Sequence, residues 1–362
     1  MVHDDLGARV RAALESVVNP RLGRPVLDAG MVRDLAVEAD GEVHFVFVLG
    51  PEDPGNLVRE SRRAVQQVEG VTAVRIEVQA PVAPRGAPTP KAVSAPTPRE
   101  HPHLGHVIAI SSGKGGVGKS TVAVNLAAAL AARGHRTGLM DADIYGPNLP
   151  RMLGLIGQEP PIVNRRIQPL EAHGLKVMSL GSIIERDVAT IWRGPIITKI
   201  IQQFLGDVEW GQLDYFIVDL PPGTGDAQLS LVQNVHVTAG IIVTTPQEVA
   251  VGDALRGAKM FEKVGVPLLG IVENMAGFVC PHCGQRTDIF SAGGGKRLAE
   301  ELSVPLLAQV PLMARVQELG ETGSPVVLAE PDSPAALALR TLAERVETEA
   351  AASAVRLPIV AN

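Results

Sequence analysis

Eleven consecutive residues, SSGKGGVGKST at 111–121, carry the densest chemistry in this chain. Gly113 to Ser120 fits the pattern G-x-x-x-x-G-K-S, with a short apolar run (HVIAI, 106–110) before it and an Ala-rich helical stretch (119–133) after it. A glycine-rich loop between a strand and a helix can curl its backbone N–H groups around a phosphate, and the helix start adds a positive dipole end. Gly115, Gly116 and Gly118 supply the freedom to curl. Lys119 would reach the β- and γ-phosphates of a nucleotide, Ser120 would ligate Mg²⁺, and Thr121 sits close enough to touch the α-phosphate. The nucleotide-binding set is therefore Gly113, Lys114, Gly115, Gly116, Val117, Gly118, Lys119, Ser120 and Thr121. The alternative, a glycine-rich turn that binds nothing, leaves the lysine and the hydroxyl without a reason to be there.

Carboxylates at strand ends complete that chemistry. YFIVDLPPGTGD places Asp219 after four apolar or aromatic residues, where a strand would hold Mg²⁺ through water. MDADIYGPN offers Asp141 and Asp143 at the end of another apolar run, and Asp226 ends the loop after Asp219. A carboxylate in such a place can also cap a helix, and for Asp226 that reading competes. FVCPHCGQ holds Cys280, His282 and Cys283, and these are the only two cysteines in 362 residues. C-x-x-C sets two thiolates on one metal or cluster edge, but tetrahedral zinc or a four-iron cluster needs four ligands.

The elements that must position these groups follow from apolar patterning. Hydrophobic residues make up 46% of the chain and aromatics only 3%, so the core rests on Val, Leu, Ile and Ala. That suits strands buried on both faces of a parallel sheet. In residues 104–350, apolar runs at 106–110, 137–143, 215–220, 240–245, 268–274 and 305–310 alternate with helical patterns, the last over 333–350. The expected fold class is α/β, a mostly parallel sheet flanked by helices, with ligands at the carboxyl ends of the strands. A small α+β module precedes it at 1–80, read as helix, strand, strand, helix, strand, with a hairpin turn at Ala39-Asp40-Gly41. Between them, 81–103 reads as an extended linker, because 81–102 holds seven of the 28 prolines. Residues 351–362 form a tail.

Composition excludes some classes. The net charge of −6 argues against non-specific nucleic-acid binding. No apolar run approaches the roughly 18 residues of a membrane helix, and the tail carries a single arginine, Arg356. The acidic, polar start MVHDDLGARV does not read as a secretory signal, so a cytoplasmic location is expected. A cytoplasmic thiol pair three positions apart points to metal or redox chemistry rather than a fold staple.

Lys114, directly after the first glycine, gives K-G-G-V-G-K-S, a pattern that resembles the deviant P-loop ATPases. In that family this lysine crosses a dimer interface to the partner's nucleotide, and the resemblance implies a homodimer with ATP between subunits. It also implies that Asp143 positions the attacking water, that Asp141 sits nearer the metal, that Asn274 reads adenine, and that the loop after Pro311 covers the base. A symmetric dimer would bring four thiolates to its two-fold axis. A half zinc knuckle closed by His282 or by a second subunit, a redox pair, and a purely structural pair of thiols are the rival readings of C-P-H-C-G. Spacing alone does not choose between zinc and iron–sulfur.

Taken in order, K-G-G-V-G-K-S-T, DADIYGPN, DLPPGTGD, ENM and C-P-H-C-G resemble the Mrp/ApbC family of iron–sulfur cluster carrier ATPases. The resemblance implies an ATP hydrolase that binds a 4Fe-4S cluster between two subunits through Cys280 and Cys283. It would pass the cluster from an assembly scaffold to apo-proteins, with ATP and Mg²⁺ as control and Lys114, Lys119 and Asp143 as catalytic residues. The front module resembles the small iron–sulfur assembly domain often fused ahead of such ATPases, through VVNPRLGRPVLDAGMVRDL. It departs at residues 50–56, GPEDPGN, where such domains often carry a cysteine. No residue there carries a thiol role, and a docking role stays open. A partition or septum-type ATPase, or a zinc-stabilised ATPase scaffold, is the alternative.

Overall fold

The computed structural model describes residues 2–38, 40–50, 53–54, 56–79, 101–143, 146–179, 194–223, 225–280 and 282–355, with the side chains of 2–5, 194–197, 226 and 351–355 left aside. The chain divides into two compact units, 1–94 with 184–200, and 95–183 with 201–362. Residues 81–100 of the expected linker and 356–362 of the expected tail lie outside the described residues.

The first unit contains α1 (Val2–Glu15), the short pair β1 (Val18–Asn19) and β2 (Arg24–Pro25), then β3 (Val32–Val37), β4 (Glu42–Val48), α2 (Leu57–Gln66) and β5 (Ala73–Gln79). β3 runs antiparallel and β5 parallel to the central β4. The helices bury Val10, Leu14, Leu57 and Val65 against Phe45, Phe47, Ile76 and Val78. Gly41 turns the β3–β4 hairpin at φ +86°, with its Cα against the Gly70 carbonyl, so no side chain fits there.

The second unit runs β6 (His106–Ser112), α3 (Lys119–Ala132), β7 (Thr137–Asp141), α4 (Leu149–Met152), the hairpin β8 (Ile162–Val163) and β9 (Arg166–Ile167), then β10 (Leu170–Ala172) and β11 (Leu175–Ser179). After α5 (Gly194–Gly206), which straddles the division of units, come β12 (Tyr215–Asp219), α6 (Asp226–Asn234), β13 (Ala239–Thr244), α7 (Glu248–Lys263), β14 (Leu268–Val279) and β15 (Arg286–Thr287). The unit ends with α8 (Gly294–Leu302), β16 (Leu306–Leu312), α9 (Ala314–Glu321), α10 (Val326–Ala329) and α11 (Pro334–Val355). Among the described residues the sheet has nine strands in the order β10-β11-β7-β12-β6-β13-β14-β15, with β16 also on β14. Only β10–β11 and β14–β15 pair antiparallel. The protein is thus an α/β P-loop fold behind a small α+β unit.

The central strands are apolar on both faces because helices cover both, and β7, β12 and β13 are buried throughout. α3 is sandwiched between sheet and helices, and nearly all of it is buried, from Lys119 through Leu130. Its one buried amide, Asn125, is satisfied: Nδ2 donates to the Thr121 carbonyl (2.9 Å) and Oδ1 accepts from Val327 N (3.2 Å). From β6 the chain passes over α3 to β7, β12 later fills the gap, and β13 joins the other side of β6. The connections therefore diverge at the carboxyl end of β6, where an α/β sheet opens its ligand crevice.

The sequence pattern under-reads some elements. β14 continues past Asn274 to Val279, the β8–β9 and β10–β11 hairpins carry no long apolar run, and α11 continues past residue 350 to Val355.

Candidate functional site

The loop from Gly113 to Gly118 links the buried β6 to α3, and Gly116 (φ +80°) and Gly118 (φ +81°) adopt the left-handed backbone that this curl requires. Gly113 lies against the backbone of Asp253 and Ala254, and Gly118 against the Asn274 amide, so a methyl at either position would clash. Ser112 Oγ donates to the Lys114 carbonyl (3.0 Å). The loop borders a cavity of about 490 Å³ lined by Lys114, Lys119, Ser120, Thr121, Asp143, Asn274 and Pro311, among others.

Lys119 is buried, and its Nζ donates to Asp219 Oδ1 at 2.6 Å, approaches Asp143 Oδ2 at 3.6 Å and lies 3.4 Å from Ser120 Oγ. Asp219 and Asp141 are partners in the β12–β7 ladder, which sets both carboxylates at strand ends. Asp141 Oδ2 accepts from Ser179 Oγ (2.8 Å), and Oδ1 from the Asp143 backbone N–H (3.0 Å). Burial, reinforced by the nearby charge of Asp219, pushes the Asp141 carboxyl up to about 8. Burial also raises Asp219, opposed by the Lys119 ammonium.

Asp219 Oδ2 is buried without a hydrogen-bond partner. An orphaned carboxylate oxygen in a cluster that also holds Ser120, Asp141 and Asp143 about Lys119 is the donor chemistry of a hard cation such as Mg²⁺. Among the described residues no three Asp, Glu, His or Cys side chains converge tightly enough to hold a metal alone. A cation here would complete its shell with phosphate oxygens and water, as Mg²⁺ prefers.

Asn274 is buried, and its Nδ2 donates to the Val117 carbonyl (2.9 Å), so this side chain grips the loop itself. Pro311 lies within β16, and the covering segment expected after it begins at Met313. Asp226 opens α6, and its side chain lies outside the described residues.

Several participants carry no sequence signal. Gln228 is fully buried, and its Nε2 donates to the Pro221 (2.8 Å) and Gly223 (3.0 Å) carbonyls, fastening the turn after Asp219. Ser179 and Arg151 reach the site from elements with no motif of their own. Asn148 closes the DADIYGPN motif, though no role attaches to it from the sequence, and Arg151 follows three residues later.

The cysteine pair occupies the turn between β14 and β15. Phe278 and Val279 pair with Thr287 and Arg286, Cys280 N donates to Gln285 O (3.0 Å), and Gly284 N to Cys280 O (2.9 Å). Cys283 and His282 are exposed, and Cys280 is half-buried. The backbone N–H groups of Cys283 and then His282 bond the Cys280 sulfur and lower its pKa, favouring the thiolate that binds metal.

In the first unit, Asp53 is buried among Asn19 Nδ2 (2.9 Å), Arg21 Nε (2.9 Å) and Gly50 N (2.8 Å). Burial alone would raise this carboxyl, but the bonds from Asn19 and Arg21, then Gly50, outweigh it and hold it below its ordinary value. A polar clamp stands here, with no thiol.

Against known proteins, residues 103–347 match the family described as NUBPL iron-transfer P-loop NTPase, and residues 7–78 match a family described as iron–sulfur cluster assembly protein. An iron–sulfur cluster carrier protein of Synechocystis sp. is 46% identical over 345 residues, 93% of this chain and 96% of the relative. One of Deinococcus radiodurans is 47% identical over 335 residues, 91% of this chain and 92% of the relative. Among solved structures, a nucleotide-binding protein of Archaeoglobus fulgidus in complex with ADP, with cobalt found in it, aligns at TM-score 0.57. It is 38% identical, over 64% of this chain and 91% of that one. The cell division ATPase MinD of Pyrococcus furiosus aligns at TM-score 0.53 and 25% identity, over 68% of this chain and 99% of that one. Loop, carboxylates, cysteine turn and these likenesses converge: the chain belongs to the NUBPL iron-transfer P-loop NTPase family, with an iron–sulfur assembly module ahead of the NTPase.

Proposed function

We propose that this protein is an ATP-dependent iron–sulfur cluster carrier, acting in the cytoplasm as a homodimer that receives its cargo from an assembly scaffold and delivers it to apo-proteins. The observation that carries this reading is the cysteine turn. Two thiols sit on an accessible hairpin tip with N–H groups aimed at one sulfur and no third ligand gathered from the described residues of the chain. Such a half-site is completed by its symmetry mate, and four thiolates suit a 4Fe-4S cargo. The names of the full-length relatives support the same cargo.

In this reading residues 1–80, 81–103 and 104–350 are assembly-like module, linker and ATPase domain, with 351–362 as tail. The loop 113–121 binds the phosphates and Lys119 neutralises them. Ser120, Asp141 and Asp219 would hold Mg²⁺, Asp219 through water, and the orphaned oxygen of Asp219 leaves an acceptor free for that water. ATP draws Lys119 away from Asp219, because the γ-phosphate competes for the same ammonium. Asp143 then orients the water that attacks the γ-phosphorus, and ADP leaves as the bridging bond breaks. Lys114 of each subunit contacts the partner's nucleotide. Asn274 and the segment after Pro311 border the base, and Asp143 and Asp226 mark the two segments that sense the γ-phosphate.

Anaerobic reconstitution with iron and sulfide, followed by metal analysis and visible absorbance of the dimer peak, tests the reading. About four irons per dimer, lost in Cys283→Ser, is the expected result. One zinc per dimer with no visible band would replace the carrier with a zinc-stabilised ATPase scaffold.

A further inference from the structure

β14 runs from the nucleotide cavity to the cysteine turn, and it does not run straight. Asn274 pairs with Val310 of β16 and Phe278 pairs with Leu312, so four steps along β14 oppose two along β16. The excess is taken up at Met275 (φ +57°) and Gly277 (φ +86°), both in the left-handed region, which a non-glycine residue such as Met275 seldom adopts. A bulge of this kind re-aims everything beyond it.

Both ends of the bulge are tied to a site. On one side, Asn274 holds the Val117 carbonyl of the phosphate loop, and Met275 lines the same cavity. On the other, Phe278 and Val279 form the β15 ladder, and Cys280 follows directly. One side chain fastens the bulge to the cysteine hairpin. Arg286, the β15 partner of Val279, reaches back and donates from Nη2 to the Ala276 carbonyl at 2.8 Å. Gly277 leaves the room for this: a methyl there would stand 2.6 Å from Arg286 Nε. Asp288 lies 3.8 Å from that nitrogen and steadies the guanidinium.

The geometry points to Arg286 as a positioning residue that locks the Met275–Gly277 bulge, so that the state of the phosphate loop sets the aim of the Cys280–Cys283 thiols through β14. The inference rests on the reading that the cavity takes nucleotide and the thiols take metal. It adds a link separate from the segments carrying Asp143 and Asp226. Any contact that moves the Asn274–Val117 bond must be absorbed by the bulge or passed to the hairpin, and the Arg286 bond favours passage. The dependence is reciprocal, so metal on the thiols alters nucleotide affinity by the same factor.

The test uses the full chain under anaerobic conditions with Co²⁺ as the thiolate probe. Its charge-transfer absorbance is titrated with and without Mg²⁺ and a non-hydrolysable ATP analogue. In the parent protein the analogue is expected to change the Co²⁺ dissociation constant about tenfold, and in Arg286→Ala this change falls below about twofold with analogue affinity held. Arg286→Lys, whose ammonium can still donate to Ala276, regains part of the change, which a merely structural role would not predict. Full coupling in Arg286→Ala overturns the inference. So does a parent protein that binds Co²⁺ through its thiols with no response to the analogue. If Arg286→Ala fails to fold or to bind the analogue, Arg286→Met, which keeps the length of the side chain and removes its donors, decides by the same two results. No thiolate–cobalt band in the parent, matching Cys283→Ser, sinks the thiol-site reading instead, and the link with it.

Discussion

The phosphate loop and the cysteine turn lie at two ends of one strand's reach, yet they are built on opposite principles. At the loop, charges are buried and interlocked: Lys119, Asp141, Asp143 and Asp219 are all nearly inaccessible and already paired, apart from one orphaned oxygen. At the turn, Cys283 and His282 stand in solvent, and the local backbone holds only the hairpin and one sulfur. The first site is preorganised within a single chain, and in the proposed reading it changes by exchanging partners for Lys119. The second offers two thiols with no third ligand gathered among the described residues, and in the proposed reading a second subunit supplies the rest. Electrostatics are strong in a buried site because water is excluded, whereas the proposed hand-over of cargo would need a site that stays reachable.

Lys119→Ala gives the sharpest break in this comparison. Removing the ammonium in direct contact with Asp219 is expected to cut ATP turnover by at least about 10²–10³-fold, read as phosphate release. Metal bound at the thiols of the same variant should be unchanged. Normal turnover would refute the phosphate-site assignment. Cys283→Ser is the converse. Iron content after reconstitution should fall to background while nucleotide affinity and melting temperature hold, and retained iron would place the ligands elsewhere.

Asn274→Ala acts between the two. It strips the Val117 carbonyl of its donor and should cost about 1–3 kcal/mol in urea unfolding, together with weaker nucleotide binding. An unchanged midpoint would mean the bond contributes nothing.

The smallest effect is expected at the far end of α3 from the phosphate loop. There Glu347 accepts from Arg133 Nε (2.7 Å) and Nη2 (2.8 Å) and meets His135 Nε2 at 2.7 Å. The Arg133 bond, helped by His135 and opposed by burial, holds Glu347 below its ordinary value near 4.5. A depressed acid contributes stability that is present above its unfolded value and fades as pH falls through the lower folded one. Glu347→Gln should therefore lose under about 1 kcal/mol at neutral pH, discounted because Arg133 is largely in solvent, and nothing in acid. Equal loss at pH 7 and in strong acid would contradict the ion-pair account, and any change in nucleotide affinity would break the separation of the two ends.

What the sequence by itself determined is local. Glycine spacing, a lysine and a hydroxyl dictate the phosphate loop because the left-handed turns at Gly116 and Gly118 need no distant partner. Apolar runs dictate a parallel sheet because strands covered on both faces must be apolar throughout. The C-x-x-C spacing dictates a thiol pair, since the hairpin that holds it closes within six residues, Cys280 to Gln285. What the tertiary structure decided is long-range. Asn274 meets Val117 across 157 positions, Asp219 meets Lys119 across 100, and Ser179 meets Asp141 across 38, all by strand order. The burial that drives Asp141 up to about 8 follows from the same packing. The bulge after Asn274 lies between two stretches of β14 that both pair with β16, and Phe278 beyond it also takes Thr287 of β15, a register that no single stretch of sequence displays.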